Sequence, residues 1–403
     1  MKLETKKNIV LLSPFFYPEN ISTGKYNTSL VEALTNEQVS IQVICSHPLY
    51  PNWKPIKSSA VLPGMTIQRG GHKILYPKQV ILRRLVLELW FSFYAMTKIF
   101  RKRNEIDILI AVFPPTLFMF FLKLVLPKKI KTIGIIHDLL GVMATSHNSV
   151  LRKVLSKVIK YAEIASFNVC DKLVCLSESM RDTVSKQYQI SPQKLVVRYP
   201  FVSTNSDMSR SNNLSQIFPT GYSHIVYSGA LGEKQIPNVL LEFYQKLCAN
   251  NDKIMCHIFS RGPVYNELAK NKNLRFPDRI LFHDLVDEKD LAELFEKSTV
   301  QIIPQATGTG AGAFPSKLPN LLAAGVPVFA ICDQESELGK LVAVSGTGYV
   351  INEWHMDSWV SGLEELLIKS AGETHRERQI KTKEMIAKMF SVQSLVKTIM
   401  RMN

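Results

Sequence analysis

The chain's strongest constraint is an alternation that runs twice. Short apolar runs at 8–13 (NIVLLS), 39–46, 106–112, 132–138, 172–177 and 194–200 are separated by longer segments with helical periodicity. A run of this length, apolar throughout and bounded by turn residues, reads as a strand buried on both faces. Strands that recur after each helix return parallel, which predicts a doubly wound α/β layer structure. Residues 203–224 (STNSDMSRSNNLSQIFPTGYSH) break the pattern with the most polar, least periodic stretch of the chain. The alternation then restarts with runs at 225–231, 254–260, 280–285, 300–305 and 326–332 and helical patterns at 236–249 and 288–297. The predicted organisation is a Rossmann-like domain over 1–202, a linker over 203–224 and a second Rossmann-like domain over 225–390. A last helix within 391–403 is expected to pack back on the first domain. The two domains are expected to face each other across a cleft, with ligands at the carboxyl ends of the strands.

At 403 residues, 46% hydrophobic and 21% charged, the chain is long enough for two cores and too apolar for a disordered protein. Its net charge of +15 is uneven. Residues 1–200 hold 28 Lys and Arg against 12 Asp and Glu, and residues 201–403 hold 21 against 22. The whole excess lies in the first half, which points to an anionic partner there. No basic-aromatic platform or helix-turn-helix spacing accompanies it, so nucleic acid is not expected. Cys45, Cys170, Cys175, Cys248, Cys256 and Cys332 form no CxxC pair and no metal-ligand spacing. They read as reduced cysteines of a cytoplasmic protein, and neither a metal nor a cofactor is expected. The apolar segments 85–96 and 117–126 are interrupted by Glu88 and Lys123 and are too short to span a bilayer. Two helices could instead lie on one. The pattern at 149–165 gathers Val150, Leu151, Val154, Leu155, Val158 and Ala162 on one face, and 80–103 carries a narrow polar stripe of Arg84, Glu88 and Ser92.

Candidate site residues fall where strands give way to helices. After the run at 300–305 comes GTGAGAFPSKLPNLLAAGVPV, from Gly308 to Val328. Its glycines allow close backbone approach, Ser316 and Lys317 add a hydroxyl and a cation, and the following helix start favours anions. YSGALGEKQ (227–235) places Gly229 and Lys234 at an equivalent position, and FSRGP (259–263) adds Arg261. In the first half, GIIHDLLG (134–141) sets His137 and Asp138 at the end of a buried strand. There the histidine can contact a substrate hydroxyl, take up a proton, or close the strand structurally.

Taken in order, TGKYNTSLVEAL, HD, CDKLVCLSESM, GALGEKQ, RGP and PSKLPNLLAAGVPV resemble the GT-B, family-4-type retaining glycosyltransferases. The similarity is greatest to the bacterial exopolysaccharide subgroup of colanic acid and O-antigen sugar transferases. The resemblance implies that the second domain binds a nucleotide diphosphate sugar, with a UDP-sugar favoured, and the first an acceptor. That acceptor would be a lipid-linked saccharide at the inner face of the cell membrane, on which the basic domain would rest peripherally. By the same resemblance Lys234 matches the diphosphate-binding lysine, and Ala313, Phe314, Ser316 and Lys317 match the loop around donor sugar and phosphates. His137 matches a histidine near the transferring sugar, and Gly24 matches a glycine loop near the donor phosphates. The family's two glutamates fall on Gly312 and Asn320, neither acidic, and its arginine after the first glycine of the second half falls on Ala230. Asn320 could still hydrogen-bond a ribose. The alternative expectation is a catalytically inactive glycosyltransferase-like partner subunit.

Overall fold

A computed structural model describes residues 6–19, 21–50, 52–143, 150–203, 213–271, 274–310 and 314–402, with the side chains of 142–143 and 150–155 left aside. Gly312 and Ala313 lie outside the described residues, as does most of the early part of the expected linker. The chain divides into two compact units, one of residues 1–200 with 391–403 and one of 201–310 with 314–390.

The first unit runs β1 (Lys7–Leu12), α1 (Ser22–Thr35), β2 (Val39–Ser46), β3 (Met65–Gly70), α2 (Val80–Lys102), β4 (Ile108–Phe113) and α3 (Leu117–Leu122). It continues with β5 (Lys131–Ile136), α4 (Leu140–Met143), α5 (Val150–Val169), β6 (Lys172–Cys175), α6 (Glu178–Gln187) and β7 (Leu195–Val197). Its seven parallel strands are ordered β3-β2-β1-β4-β5-β6-β7. Ile108 to Phe113 are buried without exception, as a central parallel strand covered on both faces requires.

The second unit runs β8 (Ser223–Ser228), α7 (Pro237–Asn250), β9 (Ile254–Phe259), α8 (Pro263–Ala269), β10 (Ile280–His283), α9 (Leu291–Lys297), β11 (Val300–Pro304) and α10 (Leu318–Ala324). Then come β12 (Val328–Ile331), α11 (Glu337–Ser345), β13 (Gly348–Ile351), α12 (Met356–Ala371) and α13 (His375–Met389). Six parallel strands are ordered β10-β9-β8-β11-β12-β13. In both sheets the order reverses direction once, beside β1 and beside β8, and such a switch point opens a crevice at the strand carboxyl ends. A final helix, α14 (Val392–Met400), belongs to the first unit and buries Leu395, Val396 and Ile399. The Lys7 ammonium donates to the Met400 carbonyl at 3.1 Å.

Three expectations change. Residues 213–222, expected as linker, pack into the second unit. There Phe218 is buried against Val226 and Phe259, and Leu214 and Ile217 flank it. The stretch reads as polar because these three apolar residues are spaced too irregularly to show a period. Gly24, expected in a loop, sits in the first turn of α1, where a Cβ would come within 2.7 Å of the Glu19 carbonyl oxygen. The helix starts earlier than its apolar residues suggest because the chain must pass this close contact already coiled.

The third change concerns the polar stripe of α2, which is split: Arg84 is exposed while Glu88 and Ser92 turn inward. Glu88 points inward, and its carboxylate accepts from the backbone N–H of Thr116, at 2.8 and 3.0 Å, and of Leu117, at 2.9 Å. It thereby satisfies donors at the start of α3 that lack intrahelical partners. Burial pushes its pKa upward, and the hydrogen bonds from Leu117 and Thr116 oppose that shift. Ser92 is also buried. The opposite side of α2 exposes Leu82, Leu85, Leu89, Phe93 and Phe100, with Phe93 66% exposed. On α5, Ser156, Glu163, Ser166 and Phe167 face inward, while Val158 and Tyr161 stand out in solvent. Apolar patterning does not show these inward carboxylates, because each caps the start of another helix.

Candidate active site

At the switch point of the second sheet, the β11–β8 register covers Val300↔Ile225 and Gln301↔Val226. On its other side β8 pairs with β9 along its whole length, from Ser223↔Ile254 to Ser228↔Phe259. The ladder between β8 and β11 therefore stops short of the carboxyl end, leaving the Ser228 and Ile302 carbonyls to find other donors. Lys317 supplies one. Its ammonium donates to Ile302 O at 2.9 Å and reaches Ser228 O at 3.4 Å, over the Tyr227 ring at 4.3 Å from the centroid. As a residue Lys317 is half-buried, but its ammonium is enclosed. Burial drives its pKa from the usual lysine range down to about 7. Lys317 was expected to offer its cation to an anion at the helix start; its ammonium is turned onto the sheet carbonyls, and Ser316 beside it is exposed.

Around this point the loops after β8 and β9 carry glycines with open space beside them. Gly229 follows β8 with φ +134°, Gly262 follows β9 with φ +113°, and at neither would an added Cβ meet an atom within 4 Å. Only glycine accepts these backbone angles readily, and the empty space lets a ligand approach the main chain. Lys234 lies on the short turn Glu233–Gln235 between β8 and α7. That turn is tied to the loop after β11, because Ala306 N–H donates to the Lys234 carbonyl at 2.8 Å. It ends at Ile236, which adopts φ 43° and ψ 56°. A β-branched residue in the left-handed region is strained, and such strain persists where surrounding structure holds it. The Gly308 N–H donates to Asp333 at 2.7 Å, which pins the loop after β11 to the end of β12. The lone Asp333 carried no motif, so sequence reasoning did not single it out.

Other expected residues stand differently. Arg261, exposed after β9, pairs with Asp284 at 3.6 Å, a surface pair of little energetic weight. Phe314 is buried at 8% exposure. Asn320, on α10, is engaged with Ser203: it accepts from the Ser203 N–H at 2.9 Å and donates to its hydroxyl at 3.2 Å. That amide already has a structural use. Among the described residues no group of three or more His, Cys, Asp or Glu is placed to hold a metal ion.

In the first unit His137 follows β5, with its N–H donating to Phe113 O at 2.9 Å and its ring edge-on to Tyr26 at 4.7 Å. Burial lowers its pKa to about 4, so the imidazole is neutral near pH 7. Its Nε2 is buried with no hydrogen-bond partner among the described residues. A buried ring nitrogen left in this state suits a ligand hydroxyl better than it suits packing. Nearby, Glu163 accepts from the N–H groups of Leu140 and Gly141 and from the Tyr188 hydroxyl at 2.7 Å. Burial raises its pKa to about 7.

Two Rossmann-type sheets, each with its switch point, and a lysine lodged at the second define a GT-B type of protein. Residues 23–206 match the Glycosyltransferase Family 4 description and residues 211–385 match Glycosyl transferases group 1. The chain belongs to the family-4-type GT-B glycosyltransferases. It is 23% identical over 376 residues to an Escherichia coli (strain K12) protein whose assigned description is colanic acid biosynthesis glycosyl transferase WcaI, covering 88% of this chain and 90% of that one. Its fold is similar to that of sucrose-phosphate synthase from Thermosynechococcus elongatus, with TM-score 0.73, 14% identity and 98% of both chains covered. It is similar also to WaaG, a glycosyltransferase involved in lipopolysaccharide biosynthesis, with TM-score 0.70 and 12% identity over 98% of this chain and 100% of that one.

Proposed function

We propose that this glycosyltransferase moves a sugar from a nucleotide diphosphate sugar, with a UDP-sugar favoured, to a lipid-linked saccharide in cell-surface polysaccharide biosynthesis. The observation that carries the reading is the Lys317 ammonium at the switch point of the second sheet. An apolar side chain there would spare the chain the cost of burying a charge, so a lysine points to function. Lys317 and Lys234 stabilise the charge that grows on the departing diphosphate, and the open backbone at Gly229 and Gly262 admits the phosphates. Ser316 lies along the donor sugar. His137, neutral, accepts or donates a hydrogen bond to a sugar hydroxyl. The transfer proceeds with retention and without a metal: the acceptor attacks on the face the diphosphate leaves, and the departing phosphate oxygen takes its proton.

The acceptor's lipid carrier accounts for the first unit's surface. The outward stripe of α2 is apolar, Arg84 and Arg101 are exposed on the same helix, and Phe120 and Leu124 add exposed apolar surface nearby in sequence. Exposed apolar patches bordered by cations suit an anionic bilayer surface. Among the described residues no helix is long and apolar enough to cross a membrane. The proposal is therefore peripheral attachment at the inner face of the cell membrane.

A second reading, a glycosyltransferase-like partner without activity, is favoured by Gly312 and Asn320 standing where the family carries acids and by the Asn320 amide being engaged with Ser203. A thermal-shift series with UDP, GDP, ADP, CMP and dTDP near millimolar separates the two. A ligand at 100 times its Kd adds about 2.7 kcal/mol, a shift of several degrees. Stabilisation by one nucleotide supports transfer; no shift with any of them selects the inactive partner.

A further inference from the structure

The first unit holds a cavity of about 570 Å³ at the free edge of its sheet, lined by residues at the amino ends of β5 and β6, along β7 and on α14. It lies apart from the strand carboxyl ends where His137 sits. Its walls carry five cations, Lys131, Lys172, Arg198, Lys397 and Arg401, against one carboxylate, Asp171. Two of the cations are engaged in structure. Lys172 donates to Gln193 O at 2.7 Å, and the Arg198 guanidinium donates to Thr398 Oγ1 at 3.1 Å, Ser394 O at 3.2 Å and Val197 O at 2.6 Å. Asp171 is engaged as well, accepting from the Thr132 N–H at 2.7 Å and its hydroxyl at 2.9 Å. The side chains of Lys131, Lys397 and Arg401 make no hydrogen bond or ion pair among the described residues.

Cations brought from four elements to one concavity, with the one carboxylate among its described lining residues already bonded, leave unbalanced positive charge. Arg198 registers it: burial first, and then the Arg401 charge, hold its pKa below the usual range. Packing does not account for this. The apolar residues of α14 already anchor the helix, and like charges placed together oppose its docking. The volume suits a small molecule rather than a single ion. The uncommitted donors come from both sides, β5 and α14, so an occupant must present negative charge at more than one point.

We propose that this cavity is a second anion site, separate from the donor site, which binds a diphosphate group. That group could be free, as in a nucleoside diphosphate, or borne on a lipid. Pyrophosphate is the first probe, measured by calorimetry on the full chain carrying Lys234→Ala so that the proposed donor site contributes less. We expect one pyrophosphate per chain at the cavity, weakened at least about tenfold by Lys131→Gln, Lys397→Gln and Arg401→Gln together, the loss of charge-assisted hydrogen bonds. Lys397→Gln alone, at an exposed position, should weaken it several-fold while leaving the unfolding transition in place. Equal pyrophosphate affinity with and without the three substitutions overturns the proposal, as does equal affinity for succinate, a dicarboxylate of similar charge. Tighter binding of UDP than of pyrophosphate, with that binding lost in the triple variant, identifies a free nucleotide as the source. Sedimentation with vesicles containing a polyprenyl diphosphate, beyond that with phosphatidylglycerol alone and lost in the triple variant, identifies the lipid. The triple-variant readout does not depend on Lys234 acting in donor binding, so failure of one proposal leaves the other standing.

Discussion

Replacing Lys317 with methionine tests the centre of the site through stability alone. The lysine's pKa is about 7 in the folded chain and about 10.4 in an unfolded one. Between those values the unfolded state binds more protons than the folded state, so stability rises with pH. Below pH 6 both states are protonated and the full cost of burying the charge is felt. As pH climbs through 7 the folded ammonium deprotonates and that cost is progressively relieved. Each unit of separation is worth about 1.4 kcal/mol, so the full effect approaches 5 kcal/mol, of which about 2 kcal/mol is recovered between pH 7 and pH 9. Methionine has a similar length and no charge, so its variant lacks this dependence. Methionine also leaves the Ser228 and Ile302 carbonyls without their donor, a cost that does not vary with pH. Urea unfolding of both proteins at pH 6, 7, 8 and 9, following the transition of the second unit, gives the comparison. The expected result is a wild type that gains about 2 kcal/mol on the variant from pH 7 to 9 and holds a constant difference below pH 6. Parallel curves throughout would show the ammonium to be solvated and refute the argument.

Lys234→Ala should weaken donor turnover by about 1.5–3 kcal/mol in kcat/KM, the value of a charge-assisted hydrogen bond, with little change in unfolding; wild-type turnover would remove it from the mechanism. Leu89→Lys with Phe93→Lys, both on the exposed side of α2, should move the protein from the membrane to the soluble fraction at low salt without changing its melting temperature. Equal partition of wild type and variant would end the proposal for that surface. Gly24→Ala puts a methyl within 2.7 Å of the Glu19 carbonyl and should cost about 1–3 kcal/mol as overpacking, read from the denaturant midpoint. A neutral or stabilising result would mean that the turn before α1 yields to it.

Strand placement was legible because parallel strands buried on both faces are written as unbroken apolar runs. Ile9 to Leu12 and Ile108 to Phe113 are buried throughout. Edge elements were not: β3 (MTIQRG) and β13 (GYVI) are half-buried and carry no such run. For the site, the sequence pointed to loops that the fold sets after the carboxyl ends of β8, β9 and β11, because glycine after a buried strand marks the turn toward the next helix. It could not show which way Lys317 turns. That direction depends on a ladder that ends early between β8 and β11, a long-range property of two strands far apart in the chain. Nor could it show that Asn320 is held by Ser203, or that Glu88 looks inward, because each partner comes from another element. The carboxyl-end glycines are local; the hydrogen bonds that organise the space around them are not.

The split polar stripe of α2 has a mechanical consequence. Glu88 fastens the helix's inner side to the start of α3, directly after β4, through bonds to Thr116 and Leu117. The greasy outer side is therefore indexed to the central strand of the first sheet and cannot swivel independently of it. A bilayer gripping Leu85, Leu89 and Phe93 would set the compass bearing of that sheet as well as its distance from the lipid. Loosening Glu88 would leave the adhesive surface in place while the sheet loses its heading.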